Sequence, residues 1–293
     1  MKRGRYYLAR VIKLGELNQT RLLDAIVKAP VVPIGQFEWT ITDVTDRRRA
    51  TSPYVFGNLA KYTREGTVKI VDEPAKQQVQ AIASNLLEAS APFVYLPEFS
   101  GLAFLHVWNG IQEDVFPRRF KSIIEAAYDN FFVDCTIEPI TDYRAFLEKL
   151  GSLDRITELS AKIHPPNPLF GRLWGSLDKY VKRRQASEVA VRETAESSKG
   201  LSTELVKLIE RILENPSYQP KTEPDITDAA MLMAADGYGS GKAVGMDGDT
   251  EVVVRTNESQ KSFLFEKEPV PEMLATAARV QFERVSKERD MGH

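Results

Sequence analysis

The chain has 293 residues, 43% hydrophobic and 27% charged, enough to bury one large core or two ordinary ones. Its 39 Lys and Arg against 41 Asp and Glu give a formal charge of −2, which excludes a global electrostatic pull toward nucleic acid or membranes. Any basic surface must be local, and Cys135, the only cysteine, excludes an intramolecular disulfide, as suits a reducing compartment.

The stretch Met1–Arg10 has the charge of a signal n-region, but Arg10 and Lys13 break the apolar run, so no signal peptide is expected. No stretch approaches the ~20 apolar residues that span a bilayer, and a cytoplasmic location without membrane insertion is expected. Tyr6–Leu14 reads as a strand and Gln19–Lys28 as a helix stopped by Pro30 and Pro33. Phe37, Trp39 and Ile41 alternate with polar residues in a half-buried strand pattern over Phe37–Val44. Tyr54–Thr63 and Thr67–Val71 are strand-like, with Glu65-Gly66 as a turn between them. Pro74–Ala89 reads as a helix, and Phe93–Leu96 and Leu102–Val107 as short strands around Glu98-Phe99-Ser100-Gly101.

An amphipathic helix is expected over Phe116–Tyr128, a strand over Phe131–Ile140, a helix over Tyr143–Leu150 and a strand over Leu153–Ile163. Leu173, Leu177, Tyr180 and Val181 form a helical stripe that fades beyond Arg184. The continuation Ala186–Glu196 is polar around most of its circumference and reads as a helix that projects into solvent or lies on a partner. A second helix over Leu201–Leu213 would complete a charged helical hairpin, stopped by Asn215-Pro216. Ala229–Ala235, Lys242–Met246, Glu251–Thr256 and Lys261–Glu266 read as a meander of strands with an Asp247-Gly248 hairpin turn, followed by a helix over Glu272–Glu288. The expected fold is α+β: a largely antiparallel sheet core with flanking helices, in segments 1–165, 166–215 and 225–293.

No motif carries a complete catalytic set. Asp236-Gly-Tyr-Gly-Ser-Gly-Lys242 lacks the first glycine and the hydroxyl residue of a phosphate loop, so a hairpin turn is expected there. Asp247-Gly-Asp-Thr-Glu251 begins like a calcium loop but lacks its glycine and its bidentate glutamate. Asp134 and Glu138 share one face of a strand and, with Asp72, are the carboxylates that could hold Mg²⁺ in a nuclease; a solvated sheet face is the plainer reading. The histidines have no ligand spacing, no metal site or other cofactor is expected, and Cys135 reads as a packed thiol.

Cations beside aromatics suit phosphate contact with base stacking. The basic clusters are Lys2, Arg3 and Arg5 beside Tyr6 and Tyr7; Arg47–Arg49; Arg118, Arg119 and Lys121 beside Phe116 and Phe120; and Lys179, Lys182, Arg183 and Arg184 with Tyr180 and Trp174. The binding candidates among them are Arg118, Arg119, Trp174, Lys179, Tyr180, Lys182, Arg183 and Arg184. The run Pro165-Pro-Asn-Pro-Leu-Phe-Gly171 before the charged helix, and the turn Ala235-Asp-Gly-Tyr-Gly239, resemble features of a poorly characterised bacterial family of similar size found among mobile and phage-defence genes. The resemblance covers most of the chain and supplies no catalytic residues. It implies a cytoplasmic bacterial protein acting in anti-phage defence, in a complex with a partner encoded nearby. Three functions remain open at this point: a non-enzymatic nucleic-acid-binding or complex-forming component, a metal-dependent nuclease, and a self-assembling scaffold.

Overall fold

Residues 2–165, 174–196 and 198–289 are described by a computed structural model. The run Pro166–Gly171 and Leu173 of the helical stripe lie outside the described residues. The chain divides into two compact units, one of residues 1–6, 13–136 and 264–276, the other of residues 7–12, 137–263 and 277–293.

The first unit is organised by an antiparallel sheet. Its strands are β1 (Arg3–Gly15), β2 (Val32–Ile34), β3 (Phe37–Asp46), β4 (Val55–Asp72), β5 (Gln77–Leu96) and β6 (Gly101–Leu105). With β7 (Val133–Pro139) and β12 (Ser262–Glu266), which like β1 run through both residue ranges, the sheet order is β12-β1-β6-β5-β4-β3-β2, and β7 pairs with β1. Helix α1 (Gln19–Val27) starts where the Asn18 side chain accepts from the Arg21 amide, and it buries Leu22, Leu23, Ala25 and Ile26. Helix α2 (Val115–Ala126) buries Phe116, Phe120, Ile123 and Ile124, the stripe its sequence spacing predicts. Phe116 and Phe120 meet Phe93 of β5, and Phe104 of β6 stacks on Phe116, giving this unit an aromatic core.

Two expectations fail here for one reason. Pro74–Ala89 is not a helix, and Glu65-Gly66 is not a turn. Instead β4 and β5 form one long hairpin, registered from Val55 opposite Tyr95 to Asp72 opposite Gln77, with its turn at Glu73–Lys76. Helix-compatible residues are held extended because most β5 residues from Gln77 to Ala89 have a partner already fixed by β4. The outer part, residues 61–89, leaves Ile70, Val71, Ile82 and Leu87 exposed.

The second unit has a four-stranded antiparallel sheet in the order β11-β10-β8-β9. Its strands are β8 (Arg155–Ile163), β9 (Val189–Thr194), β10 (Gly239–Asp247) and β11 (Thr250–Arg255). Helices α3 (Tyr143–Gly151), α4 (Gly175–Arg184), α5 (Leu205–Glu214), α6 (Ile226–Met233) and α7 (Pro271–Glu288) are also present, α7 contributing from Ala277 onward. Helix α6 packs on β8 and β10: a Cβ at Gly241 would lie 2.9 Å from Met231 Sδ, so only glycine lets helix and strand approach this closely.

The segment Ala229–Ala235 is therefore helix, not strand. Its seven residues are all buried, and none is β-branched. A helix apolar all round belongs inside, and alanine, methionine and leucine favour it. Ala234–Tyr238 adds a π-helical turn with Gly237 at φ +84°, so the expected hairpin at Asp236–Lys242 is a helix-to-strand junction. The polar stretch read as a projecting helix is likewise extended: Gln185 at φ +53° ends α4, and Val189–Thr194 pairs with β8 at the sheet edge. An edge strand can be polar on its open side, which mimics a solvated helix in sequence. The Asp247-Gly248 turn lies between β10 and β11 as expected, with Gly248 at φ +59°. The fold class is α+β with antiparallel sheets, as the mixture of short-turn strands and amphipathic helices predicts.

Candidate nucleic-acid interface

The β10 burial pattern alternates: Gly241 and Ala243 are buried, while Ser240 and Lys242 are not. Since α6 covers the Gly241 side, Lys242 stands on the opposite face of the sheet. Register then builds a row. Lys242 is opposite Arg255 on β11 and Ser160 on β8, and Ser160 is opposite Arg192 on β9. Arg255, Lys242 and Arg192 thus cross the sheet in one line, a span of ~14 Å at the usual strand spacing. In the next row Lys162 lies between Ser240 and Ala190. These residues, with Asn257, line an open groove of about 500 Å³.

Glu158 organises the row. Its carboxylate, only 11% exposed, takes the Lys242 ammonium and the Arg192 guanidinium, each at 2.6 Å. The hydrogen bonds from Lys242 and then Arg192 hold its pKa below the usual carboxylate range. Lys162 lies 3.1 Å from Glu188, and Arg255 lies 3.3 Å from Glu258. A guanidinium has five donors and an ammonium three, so one anchored bond leaves most of each head group's donors for a ligand. The result is a set of oriented donors on a rigid sheet.

The sequence-predicted cations sit elsewhere. Lys179 on α4 is bound to Glu223 at 2.6 Å, and the guanidinium carbons of Arg183 and Arg184 each lie 5.9 Å from the Tyr180 ring centre. Lys182, Arg183 and Arg184 are exposed, but Trp174 is buried and set edge-on to Tyr238, so it offers no face for a base. Helix α4 packs on α6, the side of the sheet away from the cationic row. Arg118, on α2 in the first unit, is engaged by Asp114 at 2.6 Å, and Arg119 lies over the Trp39 ring at 5.3 Å.

Two of the carboxylate candidates, both in the first unit, are each already engaged. Asp72 caps its own hairpin turn, accepting from the Ala75 amide at 3.2 Å. Asp134 holds the Lys121 ammonium at 2.5 Å, so a cation already sits where a metal would. Burial there works against ionisation, but the hydrogen bonds from Lys121 and Glu125 outweigh it and keep Asp134 low. Among the described residues no group of three or more His, Cys, Asp and Glu could hold a metal ion. The Cys135 thiol is buried and pushed up to about 12, chiefly by that burial, which makes it a packed and unreactive group.

Glu138 belongs to the second unit, where burial pushes its carboxyl up to about 7 against a smaller opposing pull from Lys162. A raised carboxyl pKa stabilises the fold most below the unfolded value of ~4.3 and loses that contribution as pH climbs through 7. Glu138→Gln, which stays neutral, is expected to remove a pH-dependent loss on the order of 2 kcal/mol between pH 4.5 and 8. Urea melts of both proteins across that range check it, and parallel pH profiles would refute it.

Sequence reasoning missed Arg192, Lys242, Arg255 and Lys162 because they lie on four strands from separate stretches of the chain, only β10 and β11 being consecutive elements, and no single one is surrounded by other cations. The only available signal was the alternation in β10, which separates Lys242 from the buried Gly241 and Ala243.

Antiparallel sheets with helices packed against them, one sheet carrying a row of ion-paired cations, define an α+β protein. The chain belongs to the family described as Domain of unknown function (DUF4747), whose model matches residues 20–280. No curated protein matches it. Among the described residues, no helix is long and apolar enough to cross a membrane.

Proposed function

We propose that this protein is a non-enzymatic nucleic-acid-binding component, and that the cationic row on the second sheet is where the phosphate backbone lies. The observation that carries this reading is the cross-strand line Arg255–Lys242–Ser160–Arg192, with Lys242 and Arg192 oriented by Glu158 and Arg255 by Glu258. Aromatic side chains are missing from the residues that line the groove, so recognition there is of the backbone and is independent of sequence.

The triple variant Arg192→Gln, Lys242→Gln, Arg255→Gln removes three charges without setting new carboxylates beside Glu158. Fluorescence anisotropy with single-stranded DNA and RNA should show affinity falling at least ~10-fold at low salt. The slope of log affinity on log salt should shrink by roughly 2, since each phosphate contact on a single strand contributes ~0.7. Unchanged affinity in a folded triple variant would overturn the reading. So would loss of binding on replacing Lys182, Arg183 and Arg184 with Glu while the triple variant still binds.

The reading includes a place in bacterial anti-phage defence, supported by the sequence resemblance at Ala235–Gly239 and around Gly171. Bacteria expressing the locus with the intact chain should form fewer plaques than bacteria expressing it with the triple variant. Equal plaque counts would remove that part of the proposal.

A further inference from the structure

The first unit contains a second built surface, independent of the cationic sheet. Strand β6 ends at Leu105, and His106 is tied by its amide to the Arg5 carbonyl at 2.9 Å. The chain then turns tightly. The Val107 amide donates to the Ile111 carbonyl at 2.9 Å, and the Ile111 and Gly110 amides donate back to the Val107 carbonyl at 3.1 Å. A Cβ at Gly110 would lie 2.8 Å from the Ala89 Cβ, so this turn is pressed onto β5 and needs glycine there. A braced turn of this kind presents Trp108 with 78% of its surface exposed. The other two tryptophans, Trp39 and Trp174, are each 3% exposed. Exposing a whole indole on a rigid turn forgoes the burial that normally stabilises tryptophan.

Trp108 forms one wall of a cavity of about 600 Å³. That volume falls in the range of small-molecule sites. Phe56, Pro92 and Leu105 supply apolar lining, and Asn58, Ser90, His106, Lys267 and Glu268 supply polar groups. The His106 ring is fixed twice: its Nδ1 lies 2.5 Å from Glu113 Oε2, and its plane meets Trp108 at 79° with centroids 4.9 Å apart. One amide N–H of Asn58 is held by Asp43 at 2.9 Å, and its side-chain oxygen is an acceptor. Asn58, Glu268 and Ser90 thus give the cavity lining several acceptors, while Lys267 is an exposed cation on the same cavity.

We propose that this cavity binds a nucleotide, with an amino-bearing base stacked on Trp108 and its phosphate at Lys267. A flat π surface, acceptors for an exocyclic amine and one ammonium are the three groups such a ligand needs. The ligand is either a free mononucleotide or one nucleotide of a strand. This site stands on its own residues and does not depend on the reading of the second sheet.

Trp108 is also the probe, because it is the exposed tryptophan and the other two are buried. The full chain is titrated with AMP, CMP, inorganic phosphate and a short single-stranded oligonucleotide while tryptophan emission is followed, with calorimetry in parallel. AMP, CMP or the oligonucleotide should quench saturably with a dissociation constant below ~1 mM, and phosphate alone should not. Quenching by the mononucleotides identifies a free nucleotide as the ligand; quenching by the oligonucleotide alone identifies a base within a strand. Lys267→Glu, an exposed substitution, should weaken binding at least tenfold, and Trp108→Ala should abolish the calorimetric signal. The Arg192→Gln, Lys242→Gln, Arg255→Gln variant should bind AMP or CMP as the parent does, which separates failure of the sheet reading from failure of this one. No saturable quenching by either mononucleotide or by the oligonucleotide overturns the proposal. Binding that is unchanged in both Lys267→Glu and Trp108→Ala overturns it as well.

Discussion

Arg289→Ala is expected to cost about 3–5 kcal/mol of stability, the usual cost of stripping one partner from a buried ion pair. Arg289 is 3% exposed and Asp236 1% exposed, and the two form a direct ion pair in the second unit. The same guanidinium donates to the Thr141 carbonyl and to the Ala235 carbonyl, and it lies 3.9 Å from the centre of the Tyr143 ring. Tyr143 adds a hydrogen bond to Asp236 at 3.0 Å, and Arg10 donates to the Asp236 carbonyl at 2.8 Å. Removing Arg289 leaves the buried Asp236 carboxylate without its ion-pair partner and takes one donor each from the Thr141 and Ala235 carbonyls. Lysine is a poor substitute, because a single ammonium cannot reproduce the planar fork that reaches several acceptors at once. Urea unfolding followed by circular dichroism measures the loss. The double variant Asp236→Ala, Arg289→Ala should lose clearly less than the sum of the two single changes, since each single change strands the other charge. A loss under ~1 kcal/mol for Arg289→Ala would show that the pair contributes little to the fold.

Phe116→Ala should be of similar size, about 3–5 kcal/mol, and it acts on the first unit. Phe116 is fully buried, stacked on Phe104 at 4.3 Å between centroids and meeting Phe93 edge-on at 5.7 Å. Phe120 lies 5.9 Å away on the next turn of the same helix. Truncation removes a ring's worth of transfer free energy and opens a cavity among three rings that are each held by other neighbours, so little collapse can offset it. Phe116→Leu keeps most of the volume and should cost less than half as much. Thermal and urea melts of both variants check the ordering; equal losses would mean that ring stacking, rather than filled volume, stabilises this core.

Where the sequence is readable, the physical signal is local. The Phe116–Ile124 stripe, the helix from Gln19 and the Asp247-Gly248 turn each depend on residues within a few positions, and each appears in the structure. The failures share a different origin. Gln77–Ala89 is extended because β4 supplies its hydrogen-bond partners, and Val189–Thr194 is extended because β8 does. Ala229–Ala235 reads as strand in sequence because a short, wholly apolar run has no periodicity to separate a buried helix from a buried strand. The cationic row is illegible for the same reason as the long hairpin. Register is a property of two chain segments, and Arg192 and Lys242 share a partner, Glu158, that is distant in sequence from both.

The long β4–β5 hairpin has a further consequence. Near Val55 and Tyr95 the two strands are buried, while beyond Lys61 and Ala89 they pair chiefly with each other and much of their surface faces water. One pair of strands therefore carries two stabilities. The base can open only when the aromatic core gives way, whereas the tip can fray and zip again while that core stays packed. The outer ribbon is thus a reversible, self-contained opening unit carried on a strand pair whose root stays closed.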